Sequence, residues 1–173
     1  MRKSFIYGAL FLLLLSWTAS CHRQQGAKFK PSPLAPGLSS GESLEAVERK
    51  LHMMAGTFDI VYDHTPLPSD TRPPYRLLII SAKQQKVAGQ AGRLEMTFFN
   101  DRLMTMQFYA DDFASATRAV ESAQKISLGS GDAHLEPNTR VWTGKDAEGK
   151  TYIGWIDKFL QAEQDAWIRQ YEQ

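Results

Sequence analysis

The residue with the most distinctive chemistry in this chain is Cys21, the single cysteine among 173 residues. Its thiol has three possible roles: a core side chain, a catalytic nucleophile or a site of covalent modification. The residues before it decide among these roles, because a basic start at Arg2 and Lys3 precedes an apolar run from Phe5 to Leu15 and then small residues. This order is the layout of a secretory signal peptide. We therefore expect the chain to be exported and cut near the cysteine.

The four residues Thr18-Ala19-Ser20-Cys21 resemble the lipobox of bacterial lipoproteins. In that family a peptidase cuts before a cysteine that carries diacylglycerol and palmitate. Ala19 and Ser20 fit the pattern, whereas Thr18 stands where the family usually has an aliphatic residue. Ordinary signal cleavage after Ser20 is therefore the alternative. The apolar run of roughly a dozen residues is too short for a permanent transmembrane helix, which needs about 20.

The resemblance also implies a location for the mature protein. His22 follows the cysteine, and it is not the Asp that retains many lipoproteins at the inner membrane. The family pattern then implies the outer membrane, with the protein facing the periplasm. A single acyl chain holds a protein only marginally, so stable anchoring requires the several chains of a triacylated cysteine. The membrane is thus an expected partner through the N-terminal lipid.

The composition excludes nucleic acid as a partner. Arg2 and Lys3 leave with the signal peptide, so 18 of the 20 basic side chains remain against 19 acidic ones. A nearly neutral exported chain has no basic field to attract phosphates. With Cys21 acylated, the folded part has no thiol, which excludes a disulfide and any cysteine-dependent catalysis. The domain must rely on its apolar core.

The chain is expected to divide into three parts. Residues 1–20 are the signal peptide, residues 21–42 a lipid-anchored flexible tether, and residues 43–173 a single domain. The middle part is rich in Gln, Gly, Ser and Pro and lacks apolar periodicity. Such a composition is typical of a semi-extended linker, which at roughly 3 Å per residue would hold the domain some tens of Å from the bilayer.

The first elements of the domain alternate helix and strand patterns. Apolar residues at helical spacing follow the capping residue Ser43, and Gly56 is expected to end this helix. In TFDIVYDH, Phe58, Ile60 and Tyr62 alternate with Asp59, Val61 and Asp63, which predicts a half-buried strand. The unbroken apolar run in YRLLIIS predicts a central strand. The polar stretch AKQQKVAGQAG then serves as a separator.

In the rest of the chain, the pattern of a hairpin followed by a helix occurs twice. RLEMTFFNDRLMTMQFYA turns at Asn100-Asp101, and a helix follows that Asp111 or Asp112 caps. After the loop SLGSGDAHLEPN, a second hairpin turns at DAEG and leads to a helix that Asp157 caps. We treat residues 93–124 and 140–173 as a weak pseudo-repeat. The predicted fold is α+β: an antiparallel sheet of about 5–6 strands packed against about three helices.

The remaining polar residues form no catalytic motif. The four histidines lie far apart and show no paired metal-ligand spacing. The sequence around Ser130 lacks the spacing of a nucleophile elbow. Asp146 and Glu148 are better explained by hairpin turn chemistry than by calcium, which needs several oxygen ligands over about a dozen residues. We therefore expect no metal, no cofactor and no enzymatic activity.

Aromatic side chains are concentrated near the C terminus. Trp142, Tyr152 and Trp155 on one exposed sheet face would make a binding surface for a protein or a glycan. The same residues, with Trp167 and Tyr171, would also make an ordinary core between the hairpin and the last helix. The spacing on the helix favours the core, and the binding surface stays a candidate.

Three functions follow from these patterns. The favoured one is a non-catalytic lipoprotein that binds another envelope protein or assists assembly there. The alternatives are a periplasm-facing module that binds a small ligand or glycan through the C-terminal aromatics, and a hydrolase. The sequence leaves the partner and the oligomeric state open.

Overall fold

The computed structural model describes residues 28–53, 58–67, 69–129 and 131–172. These residues form three helices and a seven-stranded antiparallel sheet. The helices are α1 (Leu44–Leu51), α2 (Phe113–Gln124) and α3 (Lys158–Tyr171). The strands are β1 (Asp59–His64), β2 (Leu77–Val87), β3 (Gln90–Phe99), β4 (Arg102–Ala110), β5 (Ala133–Leu135), β6 (Thr139–Lys145) and β7 (Thr151–Asp157). The α+β prediction is confirmed, with slightly more strands than expected.

The predicted signal peptide and Cys21 lie outside the described residues. Within the described part, none of the helices combines the length and the apolar character that crossing a bilayer requires.

The strands lie in the order β1-β2-β3-β4-β7-β6-β5, and two-residue turns join β2 to β3 and β3 to β4. The predicted turn at Asn100-Asp101 joins β3 to β4, with φ of 48° and 62°. A second turn of the same kind, Ala88-Gly89 with φ of 50° and 79°, joins β2 to β3. Positive φ at both central residues gives the twist that two-residue hairpins need. The separator predicted at AKQQKVAGQAG is therefore wrong: it contains the end of one strand and the start of the next.

The extra strand is β5, which lies in the segment SLGSGDAHLEPN that was predicted to be a loop. It has three residues and pairs with β6 through Ala133 and Val141. Three residues are too few to show an alternating pattern.

Two apolar clusters cover the two faces of the sheet. We call the face under α1 and α2 the inner face, and the face under α3 the outer face. The inner cluster includes Val47, Ile80, Leu94, Met96, Met106, Phe108, Ala116, Val120, Ile153 and Trp155. The outer cluster consists of Tyr75, Phe99, Met104, Leu160 and Trp167 with partly buried neighbours. The pseudo-repeat thus ends in two helices on opposite faces of one sheet.

The predicted tether extends too far along the chain, because its second half belongs to the domain. Leu34, Ala35 and Leu38 are buried in the inner cluster. The Ser40 N–H donates to the Ser32 carbonyl at 2.8 Å, and the Gly41 N–H donates to the Leu103 carbonyl at 2.9 Å. The apolar residues in this segment follow no helical or strand period. Their burial depends on the tertiary fold and could not be predicted from local pattern.

The first helix also ends earlier than predicted. It stops at Leu51, and His52 takes the left-handed conformation with φ of 52°. Its N–H bonds back to the helix, as the expected glycine would have done. The predicted stop at Gly56 lies outside the described residues.

Candidate binding surfaces

The three aromatic residues of the predicted binding surface do not share a face. Trp155 lies on the inner face with none of its surface exposed, and its Nε1 donates to Gln124 Oε1 at 2.9 Å. Trp142 and Tyr152 lie half-buried on the outer face. Successive residues of a strand point to opposite faces, so residues 152 and 155 of β7 cannot point the same way. The prediction is therefore wrong for Trp155, which is core.

Trp142 and Tyr152 form one aromatic pair on the outer face. Their ring centroids lie 6.3 Å apart in an edge-to-face arrangement at 84°. Each ring crosses over a glycine of the neighbouring strand. A Cβ atom at Gly154 would lie 2.5 Å from Trp142 Cε2, and one at Gly144 would lie 2.8 Å from Tyr152 Cζ. Only glycine at these two positions lets the rings lie close to the sheet backbone.

Three further side chains extend this pair across the sheet. Tyr109 on β4 lies 5.4 Å from Tyr152 between ring centroids. The guanidinium of Arg93 on β3 lies 3.9 Å from the Tyr109 ring centroid, and that of Arg140 on β6 lies 5.4 Å from the Trp142 ring. We call Arg93, Tyr109, Tyr152, Trp142 and Arg140 the aromatic strip. It crosses the four adjacent strands β3, β4, β7 and β6.

Arg93 and Tyr109 were not predicted as site residues, although the alternation that places them was present in the sequence. They pair directly across the β3–β4 hairpin and alternate with the buried residues Leu94 and Phe108. The alternation that assigned the core face also assigned these two side chains to the opposite face.

Charges around the aromatic strip are balanced in close ion pairs. Arg93 binds Glu95 at 2.9 Å, and Arg140 binds Asp132 at 2.6 Å. The Tyr109 hydroxyl donates to Gln107 Oε1 at 3.0 Å. Burial raises the pKa of Tyr109, the Glu95 carboxylate raises that pKa further, and the Arg93 guanidinium opposes the rise. The phenol therefore stays protonated at neutral pH.

A shallow cleft of about 350 Å³ opens beside Tyr109. Its walls are Arg93 and Glu95 from the sheet, and Asp146, Glu148 and Lys150 from the β6–β7 turn. The turn is held by Asp146, whose Oδ1 accepts the N–H groups of Glu148 at 2.9 Å and Lys150 at 2.8 Å. The predicted turn chemistry of Asp146 thus places one wall of this cleft.

The second candidate surface is the edge of the sheet at β1. Four large apolar side chains are exposed there: Ile60 (61%), Val61 (55%), Tyr62 (48%) and Leu67 (72%). We call these four residues the apolar edge. In the described part of the chain, β1 pairs only with β2. Its other side presents backbone donors and acceptors that another strand can pair with.

The exposure of β1 contradicts the predicted half-buried strand. A bulge between Ile60 and Tyr62 puts one extra residue, Val61, into β1. Ile60 then lies opposite Ile80, while Tyr62 lies opposite Ile79, which points to the other face. The two side chains predicted to share a buried face therefore point to opposite faces, as a bulge requires.

Among the histidines, His64 has a structural partner. His64 packs edge-on against Tyr75 at 5.6 Å between ring centroids. Ser130 lies outside the described residues. In the part of the chain that the structure describes, no group of three or more His, Cys, Asp or Glu side chains is placed to hold a metal ion.

No protein-family model, no curated protein and no solved structure matches this chain.

Proposed function

We propose that this protein is a non-catalytic lipoprotein of the bacterial cell envelope, anchored through Cys21, which binds another envelope protein by strand addition at the apolar edge. The observation that carries the binding proposal is the apolar edge itself. The large apolar side chains that are exposed in the described residues are concentrated on β1 and the loop after it.

Backbone pairing would supply affinity at this edge. An extended peptide that joins an open strand gains main-chain hydrogen bonds, and its alternate side chains then decide specificity. Ile60 and Tyr62 flank the edge on opposite faces of the sheet. They would contact alternate side chains of the added strand. A suitable partner therefore presents a strand with apolar residues on both sides.

Charge pairs at β1 limit which strands can be added. Asp59 binds Lys83 at 3.1 Å, and Asp63 lies 4.0 Å from Arg76. Two copies of β1 paired antiparallel about Val61 would bring Asp59 of one copy opposite Asp63 of the other. Like charges directly opposite each other destabilise a strand pair. A different protein therefore fits the edge better than a second copy.

The anchor would hold the domain close to the membrane. Phe29 already packs on the domain, with its ring centroid 5.8 Å from that of Phe159. Only residues 22–28 then separate the lipidated Cys21 from the folded part, a span of roughly 25 Å at most.

The anchor is tested by expressing the full chain in a Gram-negative host and measuring intact mass and membrane partitioning beside Cys21→Ser. We expect an acylated mass and a membrane-bound protein, both lost in the variant. An unmodified mass that begins at Cys21, with soluble protein, would refute the anchor.

The apolar edge is tested by placing a photo-crosslinking amino acid at Val61 of the full-length protein in cells. The matched control carries the same amino acid at Thr143, an exposed strand residue on β6. We expect a discrete crosslink to a different envelope protein from position 61 only, and its loss when Ile60→Asp is added. A crosslink only between two copies of this chain, or equal crosslinking from both positions, would overturn the proposal.

A further inference from the structure

A second surface on this domain points to a different ligand. We propose that the aromatic strip binds an uncharged glycan chain of β-linked pyranose units. This site is separate from the apolar edge, because β1 is not a neighbour of any of the strip strands β3, β4, β7 and β6 in the sheet.

The rings of the strip provide apolar platforms. Gly144 and Gly154 let Tyr152 and Trp142 pack close to the sheet backbone, where the two ring planes stand at 84° to each other and both rings are half-buried. Part of each ring therefore meets solvent. β-Linked pyranoses with equatorial hydroxyls have flat C–H faces that pack on such rings, while their hydroxyls point sideways to polar groups.

Polar side chains stand beside these platforms. Glu95 and Gln107 lie opposite each other on β3 and β4, and Gln107 lies opposite Gly154 on β7. A carboxylate and an amide thus share a row with Trp142, which lies opposite Gly154 on β6. Hydroxyl groups of a sugar on the rings would have donors and acceptors within this row.

The balance of charge selects an uncharged ligand. Arg93, Arg140 and Lys150 each bind a carboxylate of Glu95, Asp132 and Glu148 respectively, at 2.6–2.9 Å. An acidic ligand would have to break one of these pairs, whereas a neutral sugar leaves them intact. The cation–π contacts of Arg93 and Arg140 also hold the neighbouring rings in place.

The strip is long enough for several sugar units. It crosses four strands, and neighbouring strands lie about 4.8 Å apart, so the strip spans roughly 15 Å. The cleft beside Tyr109 extends the strip as far as the β6–β7 turn. An oligosaccharide therefore fits the strip better than a single sugar.

The strip is placed to bind a polymer that lies away from the membrane surface. This inference rests on the proposed anchor at Cys21. The N-terminal segment reaches the domain at Phe29, next to Arg102 at the start of β4. Tyr109 lies near the other end of that strand, roughly 20 Å away at 3.3 Å per residue. An uncharged β-linked glycan that lies away from the membrane surface would therefore be within reach of the strip.

Calorimetric titration of chitotetraose into the full-length protein, purified in detergent, tests the site. We expect saturable binding that weakens by about tenfold or more in Trp142→Ala and in Tyr109→Ala. The matched control is Tyr62→Ala, which removes an exposed aromatic from the apolar edge and should leave chitotetraose affinity unchanged. Circular dichroism of each variant checks that the fold is intact.

No binding of chitotetraose at millimolar concentration, or equal binding by Trp142→Ala, would overturn the proposal. Tighter binding of an acidic oligogalacturonate than of chitotetraose would refute the choice of an uncharged ligand. The unlipidated Cys21→Ser protein should bind chitotetraose as the parent does. A failed anchor and a failed glycan site are therefore distinguished by separate measurements.

Discussion

The two ends of the outer face carry similar aromatic side chains in different environments. At one end, α3 covers the sheet, and Trp167 packs on Tyr75 with ring centroids 4.4 Å apart. Its Nε1 donates to the Pro73 carbonyl at 3.0 Å. At the other end, Trp142 and Tyr152 lie over glycines, and neither residue belongs to the cluster that α3 covers. The same residue types are core at one end and surface at the other.

The path of α3 explains this difference. The helix begins directly after β7, because Asp157 is both the last residue of the strand and the N-cap of the helix. It then runs from β7 toward Tyr75 and Phe99, so it covers only the end of the sheet where β7 stops. At 1.5 Å per residue its 14 residues span roughly 21 Å. One helix of this length covers one end of the face and leaves the strip open.

The largest effect is expected from Trp155, the aromatic that the sequence grouped with the strip. Trp155→Ala should lower the free energy of unfolding by about 3–5 kcal/mol, because it empties a fully buried site on the inner face. Trp142→Ala, its matched control on the strip, should cost less, about 1–2 kcal/mol, because that ring is only half-buried but packs on Gly154 and Tyr152. Urea unfolding followed by circular dichroism measures both values. Equal losses would contradict the assignment of Trp155 to the core and Trp142 to the surface.

A smaller effect is expected at Asp157, where the covered end begins. Its Oδ1 accepts the N–H groups of Phe159 at 2.8 Å and Leu160 at 3.1 Å, and its Oδ2 accepts the Ser40 hydroxyl at 2.5 Å. Asp157→Ala should lower the free energy of unfolding by about 2–3 kcal/mol and speed hydrogen exchange in α3. The exposed cap Asp112 of α2 is the matched control. Its change to Ala should cost about 1 kcal/mol and leave exchange in α3 unchanged.

The smallest expected effect is on the pH dependence of stability at the end of the outer face that α3 covers. The side chain of Arg72 lies 5.2 Å from the Trp167 ring and binds Asp70 at 2.6 Å. This hydrogen bond is the main cause that lowers the pKa of Asp70 to about 2, and the Arg72 backbone N–H adds to it. A carboxyl whose pKa is lower in the folded protein than in the unfolded chain stabilises the fold at pH values above its unfolded pKa. This stabilisation is lost as the pH falls through the folded pKa.

Titration of Asp70 by carboxyl-carbon NMR tests this contact. We expect a pKa near 2 in the parent and a return toward 3.8, the ordinary value, in Arg72→Met. The resonances of Tyr109 and Trp142 at the open end should not move between pH 5 and 2 with the Asp70 titration. A parent pKa near 3.8 would show that Arg72 does not hold the carboxylate over this end.

Alternation predicted more of the candidate strip than it did of the apolar edge. Alternation with the buried residues Leu94 and Phe108 placed Arg93 and Tyr109 on the outer face. The turn at Asn100-Asp101 did not set their pairing, because a shift between Thr97 and Phe98 moves the register of β3 and β4 by one residue. On β1 the same reasoning failed, since the bulge between Ile60 and Tyr62 leaves no mark in a strand of six residues. The segment at Leu34 failed for another reason: its burial depends on contacts such as that of its carbonyl with Gln124 Nε2, 90 residues away in the chain.

Local chemistry in the sequence determined six of the seven strands, the turn at Asn100-Asp101 and the caps at Asp112 and Asp157, and it predicts the lipid anchor at Cys21. Each of these features depends on neighbouring residues alone. Which aromatic side chains are buried was decided only by the tertiary structure. Alternation places a side chain on a face, but what covers that face depends on where α3 and the segment at Leu34 pack. That packing joins residues far apart in the chain, so no local pattern contains it.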